Sequence, residues 1–166
     1  ITYKDIADMW IHEGFTSYSE GLFTEYFYGK EAGAEYLRGL RKGISNDAPI
    51  IGQYDVNQEG SGDMYPKGAN MLHTIRQIID NDTLWRAILR GLNEEFYHQT
   101  VTTQQIENYI IEKSGCDLQS VFDQYLRTSH PPQLIVQKKR KKVTYYWGKT
   151  VPNFKMPIDV FCNGEK

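Results

Sequence analysis

Cysteine and histidine are both scarce in this chain. Two cysteines, Cys116 and Cys162, stand in 166 residues. That is too few for a disulfide framework or a Cys-based zinc site, and it leaves open whether the two pair and in which compartment. The four histidines, His12, His73, His98 and His130, never fall one turn apart on a predicted helix, so they cannot offer two imidazoles to one metal. His73, His98 and His130 are read as surface or packing residues. Long apolar runs are missing too, which excludes a spanning helix within this stretch, and no signal-peptide pattern opens it. A formal net charge of −2 and a pI near 6.1 give no whole-chain attraction to nucleic acid or to an anionic membrane.

What the chain does have is enough apolar residue, 40%, to bury a core as one domain or one domain plus a fragment. The stretch DMWIHEGFTSYSE, Asp8 to Glu20, opens a helix expected to reach Tyr28 and stop at Gly29. On it Phe15, Tyr18, Leu22 and Tyr26 recur at core spacing, while Glu13, Thr16 and Glu20 share another stripe. Gly14 and Gly21 cost about 1 kcal/mol each in a helix interior, which suggests close approach of another backbone. A second helix is expected from Lys30 to Lys42, with Tyr36, Leu37 and Leu40 inward. From Ile44 to Asp63 the pattern lapses into a loop long enough to suggest a working one.

The loop ends at Tyr65-Pro66-Lys67-Gly68-Ala69. Pro66 suits a first helical position, and Leu72, Ile75, Ile78 and Ile79 supply the core stripe of the helix behind it. Tyr65 at that helix entrance suits either a buried core ring or a hydroxyl free to donate to a developing oxyanion. Thr83 to Tyr97 reads as an amphipathic helix. Thr102 and Gln105 form a capping box for a helix closed by Gly115, and Asp117 is placed to cap the last one, which His130-Pro131-Pro132 stops. Beyond it Leu134 to Gln137 and Val143 to Trp147 are strand-like runs flanking the basic tract KKRKK, read as a solvated hairpin tip. Ile158 to Cys162 is a third candidate strand.

His12-Glu13 opens like H-E-x-x-H, but Thr16 stands where the second His belongs. The segment instead resembles the W-x-N-E-G-F-x-x-Y-x-E signature of the zinc aminopeptidases of the aminopeptidase N type, gluzincin metallopeptidases. Trp10, Glu13, Gly14, Phe15, Tyr18 and Glu20 match it, with His12 replacing the usual Asn. Tyr65, Lys67, Gly68, Ala69 and Leu72 match the same family's Y-x-K-G-A segment, and SGCDLQSVFDQYLRTSHPP resembles the end of its catalytic domain.

The resemblance implies a mainly α fold: residues 1–131 as the helical, carboxyl-side lobe of a thermolysin-like catalytic domain, and residues 132–166 as the start of a β-rich domain. It implies Glu13 as the third zinc ligand, Tyr65 as the catalytic oxyanion donor, and Glu20 as an acid supporting the ligand indirectly or serving structure. Only twelve residues precede Glu13, fewer than the family places between its second His and this Glu, and Ile1 is not a start Met. The chain is therefore expected to be a piece of a longer peptidase acting on peptide substrates. Without the upstream part of the catalytic domain it is expected to hold no zinc tightly and to be inactive. The competing class is a non-catalytic helical interaction module or pseudo-enzyme carrying the same short motifs, and the upstream sequence discriminates the two.

Overall fold

The computed structural model describes residues 1–140 and 142–160. Six helices carry it: α1 (Trp10–Tyr28), α2 (Lys30–Leu40), α3 (Pro66–Ile79), α4 (Asp82–Glu95), α5 (Thr103–Ser114) and α6 (Gln119–Arg127). The mainly α class expected from the periodicity is the class observed. Short 3-10 turns at Ile6–Asp8, Arg41–Gly43 and Gly62–Met64 lead into or out of the helices.

Helix α1 packs against both α2 and α3, and α3 is the most enclosed element. Gly29, at φ 95°, is the single residue between α1 and α2, a conformation that suits glycine and folds α2 back on α1. Trp10, Tyr18, Leu37, Met71, Leu72, Ile75, Trp85 and Ile88 fill the core. Lys67, Asn70 and Arg76 on α3 are buried as well, and each has partners: a buried polar group without one costs about 1–3 kcal/mol. Arg76 forks onto Glu25 of α1 at 2.6 and 2.8 Å and donates through Nε to Asp82 of α4 at 2.8 Å.

Several expectations need correction. Tyr26 is 83% exposed, so the core stripe of α1 ends before its last turn. Tyr36 is also on the surface, held there by its hydrogen bond to Glu20. Gly21 does mark a close backbone approach, as expected: a Cβ added to Gly33 of α2 would meet the Gly21 carbonyl oxygen at 2.8 Å, while one added to Gly21 would meet the Leu37 side chain. Asp117 does not cap α6, whose N-cap is Leu118 without a side-chain hydrogen bond. Residues 1–7, ahead of the first expected helix, carry a strand and the start of a 3-10 turn. Thr2–Tyr3 (β1) pairs in parallel with Thr100–Val101 (β2), a pair too short to show as alternation in either segment. The Thr102–Gln105 capping box and the left-handed Gly115 stand as expected.

Gln133–Lys139 (β3) and Lys142–Gly148 (β4) form an antiparallel hairpin, with Lys138, Lys139 and Lys142 of the basic tract at the adjoining strand ends. Ile158 to Val160 form no strand, and Phe161 and Cys162 lie outside the described residues. After the hairpin the chain returns to α6, where the buried Gln124 accepts from Val151 N at 2.7 Å and Ser120 Oγ accepts from Lys155 N at 3.1 Å.

Candidate active site

Glu13 lies in the first turn of α1 and Tyr65 immediately precedes α3. What brings them together is a crossing of the two helices at Gly14 and Gly68. A Cβ on Gly68 would sit 3.1 Å from Gly14 Cα, and one on Gly14 would sit 3.2 Å from Met64 O. Side chains at these two positions would push the helices apart. The Glu13 carboxylate consequently acts on the Tyr65 hydroxyl through its charge. Local desolvation, foremost, and then Glu13 raise the Tyr65 phenol above its ordinary value, so it keeps its proton at neutral pH and remains a donor. Tyr65 is 43% exposed, so this hydroxyl sits at the surface of the chain and not in its core.

A second carboxylate acting on Tyr65 is Glu59, from the long loop. Sequence reasoning missed it because a lone Glu among Asn, Gly and Asp carries no pattern. The loop itself is tied down. Asp63 accepts from Ser45 N and Asn46 N at 2.7 Å each, Ser61 Oγ donates to Asp47 at 2.6 Å, and Ile50 is fully buried. Gly60 has no room for a side chain because it passes directly against the Ile50 carbonyl. These contacts fix the approach to Tyr65.

The other motif residues divide by role. Trp10 is buried and donates Nε1–H to Thr103 Oγ1 at 2.7 Å; Thr103 in turn donates to Asp8 Oδ1, which also accepts from Tyr54 at 2.7 Å. That chain ties the start of α1 to α5 and to the loop. Tyr18 accepts from Trp85 Nε1 at 2.8 Å and is core. Lys67 is buried and donates to Thr128 O at 2.9 Å, so its amine faces the end of α6. Glu20 accepts from Tyr36 Oη at 2.6 Å, linking α1 to α2. His12 packs against the Tyr3 ring with centroids 4.6 Å apart and the planes tilted by 49°. A cavity of about 640 Å³ between α1, α4 and α5 is lined by His12, Phe15 and Thr16 but not by Glu13 or Tyr65, so the pair does not share it.

A family model described as the Peptidase family M1 domain matches residues 1–125. The chain belongs to peptidase family M1. It is similar to the alanine/arginine aminopeptidase of Saccharomyces cerevisiae, 22% identical over 147 residues, which cover 82% of this chain and 17% of that protein. It is also similar to endoplasmic reticulum aminopeptidase 1 of Mus musculus, 24% identical over 169 residues, 92% of this chain and 18% of the relative, and to its counterpart in Rattus norvegicus, 26% identical over 110 residues, 60% of this chain and 12% of the relative. The chain thus spans less than a fifth of the length of these M1 relatives. No solved structure matches.

Within the M1 chain the residues that could hold a metal are limited. Among the described residues no three His, Cys, Asp or Glu side chains group as a metal site. Glu13, half-buried and facing a phenol, fits as one carboxylate of a donor set, and a catalytic zinc takes three protein ligands.

Proposed function

We propose that the parent protein is a zinc aminopeptidase removing N-terminal residues from peptides, and that this chain supplies two of its working groups. Glu13 would be the third zinc ligand and Tyr65 the donor to the oxyanion that develops on the scissile carbonyl. Bound zinc supplies Lewis-acid polarisation of that carbonyl and a water nucleophile at neutral pH. The Tyr65 hydroxyl contributes the second stabilising contact, a donor held near the place where negative charge appears. Glu20 would serve structure, since its carboxylate is engaged with Tyr36. The observation that carries the reading is the juxtaposition of Glu13 and Tyr65, distant in sequence and adjacent across the Gly14–Gly68 crossing, in a chain of peptidase family M1.

The remaining ligands, the general base and the amine-binding acid would come from the upstream part of the catalytic domain. A single carboxylate leaves zinc to water and to competing cations, so the 166-residue chain is expected to bind zinc weakly and to give background rates on aminoacyl substrates. In the full-length protein Glu13→Ala should lose metal, measured by metal content after dialysis. Tyr65→Phe should keep metal and lose about 10²–10³ in kcat. Chelator-sensitive cleavage by the isolated chain would show that the ligands have been assigned to the wrong residues.

A further inference from the structure

A second cavity, of about 540 Å³, opens beside α2 and α3 and is independent of the Glu13–Tyr65 pair. Four cations line it: Lys30, Arg38, Arg41 and Arg76. Three have carboxylate partners, Arg76 on Glu25 and Asp82, Lys30 on Asp82, and Arg38 on Glu31. Arg41 has none among the described residues. Its Nε donates to Asn70 Oδ1 at 2.7 Å, and Asn70 is buried with its amide nitrogen donating to Leu37 O and Pro66 O, both at 2.9 Å. The guanidinium is thereby oriented by a side chain that cannot turn, and its two terminal nitrogens carry no hydrogen bond among the described residues. A fork fixed at one edge and open at the other is the arrangement that takes an oxyanion bidentately.

His73 also lines this cavity, and its Nδ1 is buried without a partner. The groups facing it are Arg76, Arg41 and Arg38, with Glu25 opposing them. Lys30 and Glu31 complete the charged wall. Burial first, and then the three guanidinium charges, hold the imidazole below its ordinary pKa, so it is neutral at neutral pH. An anion seated among these groups would compensate the guanidinium charges and let the imidazole protonate.

We propose that this cavity is an oxyanion site, in which the terminal N–H groups of Arg41 grip a phosphate group and Arg38 and His73 close around it. Arg41 is the lining cation without a carboxylate partner among the described residues, and His73 can take up a proton as the anion binds, so two positive charges meet the ligand, which favours a phosphate dianion over a carboxylate. The phosphate is either free or the phosphomonoester of a small molecule.

The test is an NMR titration of the histidine imidazoles of the 166-residue chain at low ionic strength, with inorganic phosphate, O-phosphoserine, acetate, and chloride at matched ionic strength. The His73 pKa should rise in phosphate and not in chloride. Arg41→Ala, and Arg41→Lys, which keeps the charge but loses the fork, should each weaken phosphate binding roughly tenfold. Arg90→Ala on α4 should leave it unchanged. Tighter binding of O-phosphoserine would identify a phosphomonoester site, and equal or weaker binding a site for free phosphate; both support the proposal. A His73 response no larger in phosphate than in chloride would overturn it, as would acetate binding equal to phosphate or Arg41 variants that bind like the parent. The parent titration depends on no variant folding.

Discussion

At the scale of single residues, the Glu13–Tyr65 pair has a signature measurable without metal or substrate. The Tyr65 phenol is raised by desolvation and by the neighbouring Glu13 carboxylate, with a smaller contribution from Glu59. Glu13→Gln keeps an acceptor beside the hydroxyl but removes the charge, so the Tyr65 pKa should fall toward that of a free tyrosine without reaching it. Tyrosine ring-carbon NMR across alkaline pH resolves this. Tyr54 provides an internal control, because burial and Asp8 hold its phenol high and Glu13 does not act on it. An unmoved Tyr65 in the variant would mean that the two groups do not face one another. The same logic explains why Tyr65 could not be assigned from residues alone. A tyrosine before a helix-starting proline is equally consistent with a core ring, and only the helix crossing decides which side of the fold its hydroxyl meets.

At the scale of elements, what was legible in the sequence is what local chemistry determines. The Thr102–Gln105 box, Pro66 at the first position of α3, and Gly29 and Gly115 past helix ends each act within a few residues. The errors lie where the answer depends on a distant partner. Tyr26 keeps the spacing of a core residue but has no element over it, and the β1–β2 pair joins segments roughly a hundred residues apart. Gly14 was readable as a close approach, although its partner, Gly68, was not.

A testable consequence concerns α6 and the hairpin. Helices end at Arg127 and strands begin again at Gln133, yet Gln124 joins the two parts by accepting from Val151 N and donating to Lys149 O. A chain ending at Pro131 should remain strongly helical by circular dichroism, since every helix and its caps are retained. It should lose about 1–2 kcal/mol of stability, because Gln124 keeps Thr128 and His130 but surrenders Lys149 and Val151. A β-dominated spectrum would contradict this account of the helical part.

At the scale of the whole molecule, Arg76 joins α1, α3 and α4, and acid should undo that junction first. Its guanidinium is 5% exposed, against 22% for Glu25 and 46% for Asp82, so the Glu25 pair is the better shielded from solvent and the Asp82 pair the more screened. Hydrogen bonding from Arg76 is the chief cause holding both carboxylates below their ordinary values. A depressed folded pKa means stability fully present above the unfolded carboxylate value, roughly pH 4, and lost as pH falls through the folded one. Glu107 works in the opposite direction. It is buried beneath Arg127, and burial raises its carboxyl despite that pairing, so it weakens the fold as pH rises through the carboxylate range.

Glu25→Gln separates the two. It leaves a buried guanidinium with only Asp82 and should cost about 3 kcal/mol at neutral pH. The gap between parent and variant should then narrow below about pH 4, where the parent's own carboxylate protonates. Denaturant unfolding of both proteins from about pH 7 down to pH 2 measures this directly. Parallel curves would place the acid sensitivity elsewhere; converging curves would assign it to the cation that holds three helices together.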